Sequence, residues 1–206
     1  MDLTTEDLLA KYKEAAPQYD RQLKTMDLLF GMKRKRKDVL SRASGKVLAV
    51  GIGTGQDLPF YPQTCDITGI DLSPDMLILA QKKADGFSRT IMLRQMDAEA
   101  LAFSNESFDT VVSTLALCTF LNPVKALKEL RRVCRRGGKI LLLEHGRSSV
   151  GFLSWLQDRL AHHPLKKVGC HWNREPLALA QEAKLKILNV KTSNFGIITI
   201  IEALPY

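Results

Sequence analysis

The sequence predicts a single α/β domain: a doubly wound, mostly parallel seven-stranded sheet with an antiparallel last strand and N-terminal helices. From Gly45 onward, short apolar strands alternate with helical segments, as in parallel sheets covered on both faces. Glycines at 51, 53 and 55 follow the first of these strands, which is a common turn from strand to helix in such sheets. The length of 206 residues suits one domain of this class, covering 1–206.

The first segment, residues 1–43, is predicted to be helical and amphipathic and to serve as a lid or membrane-contact element. Thr5 is the expected cap of its first helix. Pro17 is expected to interrupt that helix, because proline has no backbone N–H to donate.

The second segment, residues 44–145, is the predicted binding core. Ser73 and Pro74 supply an N-cap and a first-turn proline for the helix after the second strand. A later helix is expected from Pro123 to Cys134, followed by a turn over 135–138. The expected strands are 47–50, 66–71, 90–96, 108–113 and 139–144, the last being almost wholly apolar and therefore central.

The third segment, residues 146–206, is predicted to contain a cover and two closing strands. Glycines and aromatic residues in 146–172 break the alternation, and we expect this stretch to lie over the binding site. Asn173 is the expected cap of a short helix. Residues 185–190 and 196–202 are predicted to form an antiparallel pair.

Composition narrows the class of protein and its partners. The net charge of +8 and the pI near 9.4 favour an acidic partner, either nucleic acid or an anionic membrane surface. Four scattered cysteines without a Cys-x-x-Cys pair argue against a disulfide framework or a structural zinc site, and favour a reducing cytoplasm. The N-terminus lacks a signal pattern, and no apolar run approaches the ~20 residues that span a bilayer.

Acidic residues at the ends of the next two strands indicate which nucleotide-like ligand binds at the glycine turn. Asp71, 20 positions after Gly51, suits the hydroxyls of a ribose, as in enzymes that bind NAD. Asp97 ends the third strand, where its carboxylate can accept from an adenine amino group while the Ala98 N–H donates to the ring. That second pair favours a methyl-donor site.

Together these motifs resemble the class I S-adenosylmethionine-dependent methyltransferases, whose fold is Rossmann-like. The resemblance covers about residues 45–145 and includes the glycine turn, both strand-end acids, and the fourth-strand motif at 107–113. It implies S-adenosylmethionine as cofactor and S-adenosylhomocysteine as product. The cofactor-binding residues it implies are Gly51, Ile52, Gly53, Thr54, Gly55, Asp71, Leu72, Met76, Asp97, Ala98, Thr114 and Leu115.

Ala49 departs from the family pattern. Members usually have Asp or Glu at this position, where the carboxylate helps to hold the methionine ammonium group of the donor. A lost charge-assisted hydrogen bond is worth roughly 1.5–3 kcal/mol, so we expect weaker cofactor binding than is typical.

Flanking motifs resemble one branch of the family. That branch contains the ubiquinone/menaquinone-biosynthesis C-methyltransferases, bacterial phospholipid N-methyltransferases and membrane-associated thiol methyltransferases. The resemblance implies a lipid or other small amphipathic acceptor, with phosphatidylethanolamine as first choice. A thiol or quinone precursor, an RNA, or a non-catalytic S-adenosylmethionine-binding role are the alternatives. The cues are Tyr19-Asp20 and the stretches 53–62, 143–146 and 169–175.

Three residues are candidates for catalytic work. Tyr19 is expected to close over cofactor and acceptor, or else to be a core tyrosine. His145 is expected to act as base or to position the acceptor, or else to be a hydrogen-bonded loop histidine. Glu144 is expected to attract a cationic headgroup or to pair with an arginine.

No metal site is expected. His162, His163, His171 and Cys170 invite one, but their spacing matches no common zinc pattern, and methyl transfer needs no metal. Arsenic is not the expected acceptor, because the cysteines that could hold it are few and scattered.

Residues 26–37 are the expected contact with an anionic membrane, because an apolar patch precedes five consecutive cations at 33–37. The alternative is a core-packing helix with a solvated charged side. Nucleic acid is not the expected partner, because the fourth strand lacks the Asn/Asp-Pro-Pro-aromatic motif of base methyltransferases. The expected location is the cytoplasm, with peripheral contact at the cytoplasmic face of the membrane.

Overall fold

The structure, a computed structural model, describes residues 3–206 except the side chains of Gln22 and Met26. Its centre is a seven-stranded sheet in the order β3-β2-β1-β4-β5-β7-β6. The strands are β1 (Lys46–Val50), β2 (Asp66–Asp71), β3 (Ile91–Gln95), β4 (Phe108–Thr114), β5 (Cys134–His145), β6 (Lys186–Ser193) and β7 (Ile198–Leu204). The helices are α1 (Thr5–Phe30), α2 (Met32–Leu40), α3 (Pro74–Ala84), α4 (Pro123–Val133), α5 (Gly151–Leu160), α6 (His162–Val168) and α7 (Pro176–Glu182).

The predicted fold class is confirmed. Strand β7 runs antiparallel to both of its neighbours, β5 and β6, and the other paired strands are parallel. Alternation along β1 sends Leu48 and Val50 into one apolar cluster and Val47 and Ala49 into the other. Helices cover both clusters, as a doubly wound sheet requires.

Helix α1 differs from its prediction in two ways. Its cap is Thr4, whose side chain forms a reciprocal capping box with Asp7, one residue earlier than predicted. The helix also continues through Pro17, so the predicted interruption is wrong. An interior proline costs about 3 kcal/mol, and the buried side chains of Leu8 and Ala16 supply tertiary packing that offsets it. Gly31, in the left-handed region, ends α1 and starts α2.

Two local predictions in the second half of the chain are wrong. Residues 135–138 belong to β5 rather than to a turn, and pairing with β4 is irregular there. A Cβ on Gly138 would lie 2.7 Å from the Asp109 carbonyl oxygen, so close strand approach requires glycine. Helix α7 has Glu175 as its N-cap, while Asn173 donates to Asp158 instead.

The stretch 146–172 contains α5 and α6, and none of its residues lines the pocket at the carboxyl edge of the sheet. Its role as a cover for the acceptor stays a prediction. Helix α6 packs on α1: Lys11 Nζ donates to the Lys166 carbonyl, and Leu8 lies against Gly169. Within the described residues, no helix is both long and apolar enough to cross a membrane.

Candidate active site

A pocket lies at the carboxyl ends of β1, β2, β3 and β4, with α1 as its roof. Strand β1 lies between β2 and β4, so this is the point at which the strand order reverses, where open α/β sheets bind ligands. All the predicted cofactor residues except Gly55 line it. The lining comprises Gly51, Ile52, Gly53, Thr54, Asp71, Leu72, Met76, Asp97, Ala98, Thr114 and Leu115 from that prediction, with further residues from α1 and the loop after β4.

The glycine turn after β1 shapes the floor of the pocket. Gly51, Gly53 and Gly55 all have positive φ angles, which side chains rarely adopt. A Cβ on Gly51 would lie 2.5 Å from the Ala116 Cβ, whereas the nearest neighbour of a Cβ on Gly53 would be Tyr19 Cε1 at 3.9 Å. Gly53 therefore leaves open space for a ligand, while Gly51 and Gly55 are needed for packing.

Asp71 joins the end of β2 to the glycine turn. Its carboxylate accepts hydrogen bonds from the backbone N–H of Gly53 at 2.8 Å and of Ser73 at 2.9 Å. Burial raises the pKa of Asp71, and these backbone donors partly offset that rise. The carboxylate is thus held at the pocket wall, where Leu72 and Met76 also lie.

The ends of β3 and β4 supply the remaining walls. Asp97 accepts from the Glu99 N–H at 2.8 Å, which fixes the turn that carries Ala98 into the pocket. Leu115 has a φ of 53°, a strained conformation for leucine, and its N–H donates to the Leu143 carbonyl at 2.8 Å. Thr114 Oγ1 is buried beside the Asp57 carboxyl, so both polar groups lie at this wall of the pocket.

Helix α1 is held to the glycine turn by polar contacts of Asp20, which we call the Asp20 clasp. Asp20 on α1 accepts from Thr54 Oγ1 at 2.5 Å and pairs with Lys83 on α3 at 2.7 Å. Thr54 lines the pocket, but its hydroxyl donates to Asp20 and so holds helix α1 in place over the pocket.

Asp57 and Arg36 are pocket residues that the sequence analysis missed. Arg36 is buried and pairs with Asp27 at 2.5 Å and with Asp57 at 2.9 Å. Burial raises the pKa of Asp57, against the opposing effect of Arg36. Ala49 is buried and offers only a methyl group. The position of Asp57 just after the glycine turn was its one available signal.

Two tyrosines of α1 form the aromatic part of the roof. The rings of Tyr12 and Tyr19 meet edge to face with centroids 6.4 Å apart, and both line the pocket. Burial raises the pKa of both phenols well above its ordinary value, so both are neutral. Tyr19 was a predicted site residue, whereas the sequence analysis did not identify Tyr12 as one.

Glu144 does not line the pocket. It is fully buried and accepts from Ser113 Oγ at 2.7 Å and from the Leu117 N–H at 3.2 Å. Among the described side chains, no arginine forms an ion pair with it. Burial raises its pKa to about 7, against these hydrogen bonds. The geometry fits an anchor for the loop after β4 rather than a group that contacts an acceptor.

His145 lies in a cluster with two cysteines, next to the pocket but outside its lining. Its Nε2 is 3.4 Å from Cys170 Sγ, and Cys118 completes the group. Burial alone would lower the pKa of His145, but Cys170 beside it raises the pKa overall. A hydrogen bond from Cys118 and the proximity of His145 lower the pKa of Cys170 to about 5 against burial, while the pKa of Cys118 rises.

The other histidines considered from the sequence do not join this cluster. The rings of His162 and His163 lie against each other, with centroids 3.9 Å apart, on α6. The sequence could not identify Cys118 as the partner, because it lies 52 positions before Cys170.

Comparison with known proteins agrees with this geometry. Residues 48–142 match the family model described as a methyltransferase domain. A phosphatidylethanolamine N-methyltransferase from Cereibacter sphaeroides is 37% identical over 131 residues, which are 63% of this chain and 64% of that protein. A thiol S-methyltransferase from Homo sapiens is 32% identical over 159 residues, 70% of this chain and 64% of that protein.

The fold comparison is equally clear. An S-adenosylmethionine-dependent methyltransferase from Thermotoga maritima superimposes with a TM-score of 0.73 at 19% identity, covering 97% of this chain and all of that one. The chain spans less than two thirds of the length of the two curated relatives above. On the domain match, the glycine turn and the strand-end acids, residues 48–142 form a methyltransferase domain similar to the class I S-adenosylmethionine-dependent methyltransferases.

Proposed function

We propose that this chain methylates the amine of an aminophospholipid headgroup, with phosphatidylethanolamine as the best candidate. The observation that carries the acceptor class is the roof of the pocket. The same helix that presents Tyr12 and Tyr19 to the pocket ends in two leucines that are 85% and 67% exposed, Leu28 and Leu29. An amphipathic acceptor needs both an apolar surface for its chains and an enclosed site for its headgroup.

The pocket fits the cofactor of the family. Open space above Gly53, the held carboxylate of Asp71 and the buried hydroxyl of Thr114 would suit its sugar and its polar groups. Asp57 is the partly buried acid closest in sequence to the glycine turn, so we assign it the ammonium contact that Ala49 cannot make. When bound, S-adenosylmethionine supplies an electrophilic methyl group on a sulfonium centre.

The residues of the chain then have three tasks: to hold the acceptor in line with the methyl group, to exclude water, and to favour the cationic product. Helix α1 excludes water because the Asp20 clasp holds it over the pocket. The ring faces of Tyr12 and Tyr19 suit a methylated ammonium group through cation–π attraction. His145 lies outside the lining, so its predicted part in removing a proton would need a relay.

The membrane-contact surface is smaller than residues 26–37. Met32 and Arg36 are buried, which leaves Leu28 and Leu29 together with the exposed cations nearby. Those cations are Lys33, Arg34 and Lys37. We name these five residues the α1–α2 surface. Exposed leucines next to exposed cations suit an anionic bilayer, where apolar burial and headgroup attraction act together.

A second candidate is S-methylation of a small amphipathic thiol. The contact of His145 with Cys170 places thiol chemistry next to the pocket, and the human relative described above is named as a thiol S-methyltransferase. The amine has the stronger support, because the pocket itself is walled by aromatic rings and the phosphatidylethanolamine N-methyltransferase is the more similar relative.

The test is a methyl-transfer assay with radiolabelled donor over four acceptors: phosphatidylethanolamine in anionic vesicles, a quinone precursor, a small alkyl thiol and total RNA. We expect label in the phospholipid. Label only in the thiol would establish the second candidate, and label in RNA would contradict both. If the protein binds S-adenosylmethionine but labels none of the four acceptors, it would be a non-catalytic S-adenosylmethionine-binding protein.

A further inference from the structure

We propose that Cys118, His145 and Cys170 bind one thiophilic divalent cation of the zinc class. The three side chains each offer one ligand atom, and these atoms lie within 4.8 Å of one another. The inference concerns a site beside the methyl-transfer pocket and does not depend on which acceptor is methylated.

The distances suit a tetrahedral ion. Zinc lies about 2.3 Å from thiolate sulfur and about 2.0–2.1 Å from imidazole nitrogen, so neighbouring ligand atoms are about 3.5–3.8 Å apart. His145 Nε2 and Cys170 Sγ are already 3.4 Å apart. Closing the remaining gaps requires a shift of about 1 Å, within the range of side-chain adjustment.

Three separate elements are locked together at this point. Cys118 follows β4, His145 ends β5, and Cys170 follows α6. The His171 N–H donates to the Cys118 carbonyl at 2.8 Å, and Arg174 Nη1 donates to the Leu117 carbonyl, so the segment that carries Cys170 is fixed against the segment that carries Cys118.

The surroundings of the ring also match a metal site. The His145 imidazole faces Cys170 through Nε2, and the backbone of Trp172 lies beside the ring. In metal-bound histidines, a backbone carbonyl near the second ring nitrogen commonly fixes the orientation of the ring. Cys118 is buried, so bulk water has little access to its sulfur.

The donor set selects the class of ion. Two thiols and an imidazole favour zinc-like ions over magnesium or calcium, which prefer oxygen. Three protein ligands leave the fourth position for water or another small ligand. Cys65 and Cys134 are matched controls, because both are buried free cysteines whose sulfurs lie near backbone carbonyls elsewhere, at Ala43 and Lys139.

The test titrates Zn²⁺ and Co²⁺ into reduced, chelator-treated full-length protein. We expect one ion per chain, with the thiolate-to-metal charge-transfer absorption of a tetrahedral cobalt site. Cys118→Ser, Cys170→Ser and His145→Asn should each weaken binding by more than about 100-fold, because loss of a residue that only orients a ligand already costs about 10- to 100-fold. Cys65→Ser and Cys134→Ser should bind as the wild type does.

A second measurement on the wild type covers the case in which a cluster variant fails to fold. Thiol alkylation followed by peptide mass spectrometry should show Cys118 and Cys170 protected by Zn²⁺, with no change at Cys65 and Cys134. Equal protection of all four cysteines, or none, would overturn the proposal. Retention of Zn²⁺ by Cys170→Ser at wild-type affinity would also overturn it. None of these readouts uses methyl transfer, so failure here and failure of the proposed function are separable.

Discussion

Ala49 and Asp57 illustrate how single residues set cofactor affinity in this site. Ala49 contributes a buried methyl group where relatives of this fold usually have an acid. Asp57 lies in the pocket lining, but its carboxylate forms an ion pair with Arg36, whose Nε is 2.9 Å from Asp57 Oδ1. A partly neutralised carboxylate attracts an ammonium group less strongly than a free one, so the expectation of weak cofactor binding stands as a prediction.

Calorimetric titration of S-adenosylmethionine tests this assignment. Ala49→Glu should tighten binding by about 10-fold or more, because it restores a charge-assisted hydrogen bond. Asp57→Asn should weaken binding by a similar factor. Asp27→Asn is the matched control, because it removes the other partner of Arg36 outside the pocket lining. No gain with Ala49→Glu, or equal losses with the two asparagine variants, would contradict the assignment.

Substitutions of Tyr19 test whether the aromatic rings of the pocket stabilise a methylated ammonium group. Tyr19→Phe keeps the ring and should retain transfer to phosphatidylethanolamine within about 3-fold, whereas Tyr19→Leu should lose about 10-fold or more in kcat/KM, as expected for a desolvated cation–π contact. Steady-state assays on vesicles give both values. Equal loss in the two variants would show that the hydroxyl, not the ring, carries the effect.

Among the elements, α1 connects the pocket to the surface. Its first half packs on α6 through Leu8, its middle holds the glycine turn through Asp20, and its end exposes Leu28 and Leu29. Because one continuous helix makes all these contacts, the passage through Pro17 matters: a break there would separate the roof from the α1–α2 surface.

The α1–α2 surface predicts charge-dependent membrane binding. Replacing Lys33, Arg34 and Lys37 together by Gln should reduce co-sedimentation with anionic vesicles by about 10-fold or more, since each cation near the surface is worth about 1 kcal/mol. Binding to neutral vesicles should change little.

The control removes the same charge elsewhere on the molecule. Lys128, Lys186 and Lys191 are also exposed, on α4 and on the edge strand β6. Their replacement by Gln should leave co-sedimentation unchanged. Equal losses in the two triple variants would indicate that net charge, rather than this surface, attracts the membrane.

For the whole molecule, the pocket joins the sheet edge to α1, so a ligand there should stabilise the fold. At 100 times its dissociation constant, S-adenosylhomocysteine should add about 2.7 kcal/mol. For a chain of this size that corresponds to a rise in Tm of about 5–11 °C. Asp71→Asn should reduce the shift at the same ligand concentration. Hydrogen exchange should show added protection in α1; protection confined to the sheet would contradict the assignment of α1 as roof.

Across the whole molecule, the features that local sequence determines were predictable, and those that depend on tertiary packing were not. Strand–helix alternation, the Ser73 cap and the glycine turn are set by local periodicity and by backbone angles, so the sheet was predictable from the sequence. Eleven of the twelve predicted cofactor residues line the pocket, and their contact with the cofactor stays a prediction. Gly55 lies outside the lining because its side of the turn packs on Leu58 and Ala80. Helix α1 was misjudged because local proline cost was weighed without its tertiary packing.

The sequence by itself determined the fold class, the nucleotide-type pocket and its acids, because each depends on residues that are near neighbours in the chain or on equivalent strand ends. Only the tertiary structure decided that Arg36 is buried beside Asp57 at the pocket and that His145 meets two cysteines. These contacts join residues far apart in the chain, such as His145 and Cys170, 25 positions apart. Local pattern carries no information about such distances, and packing alone sets them.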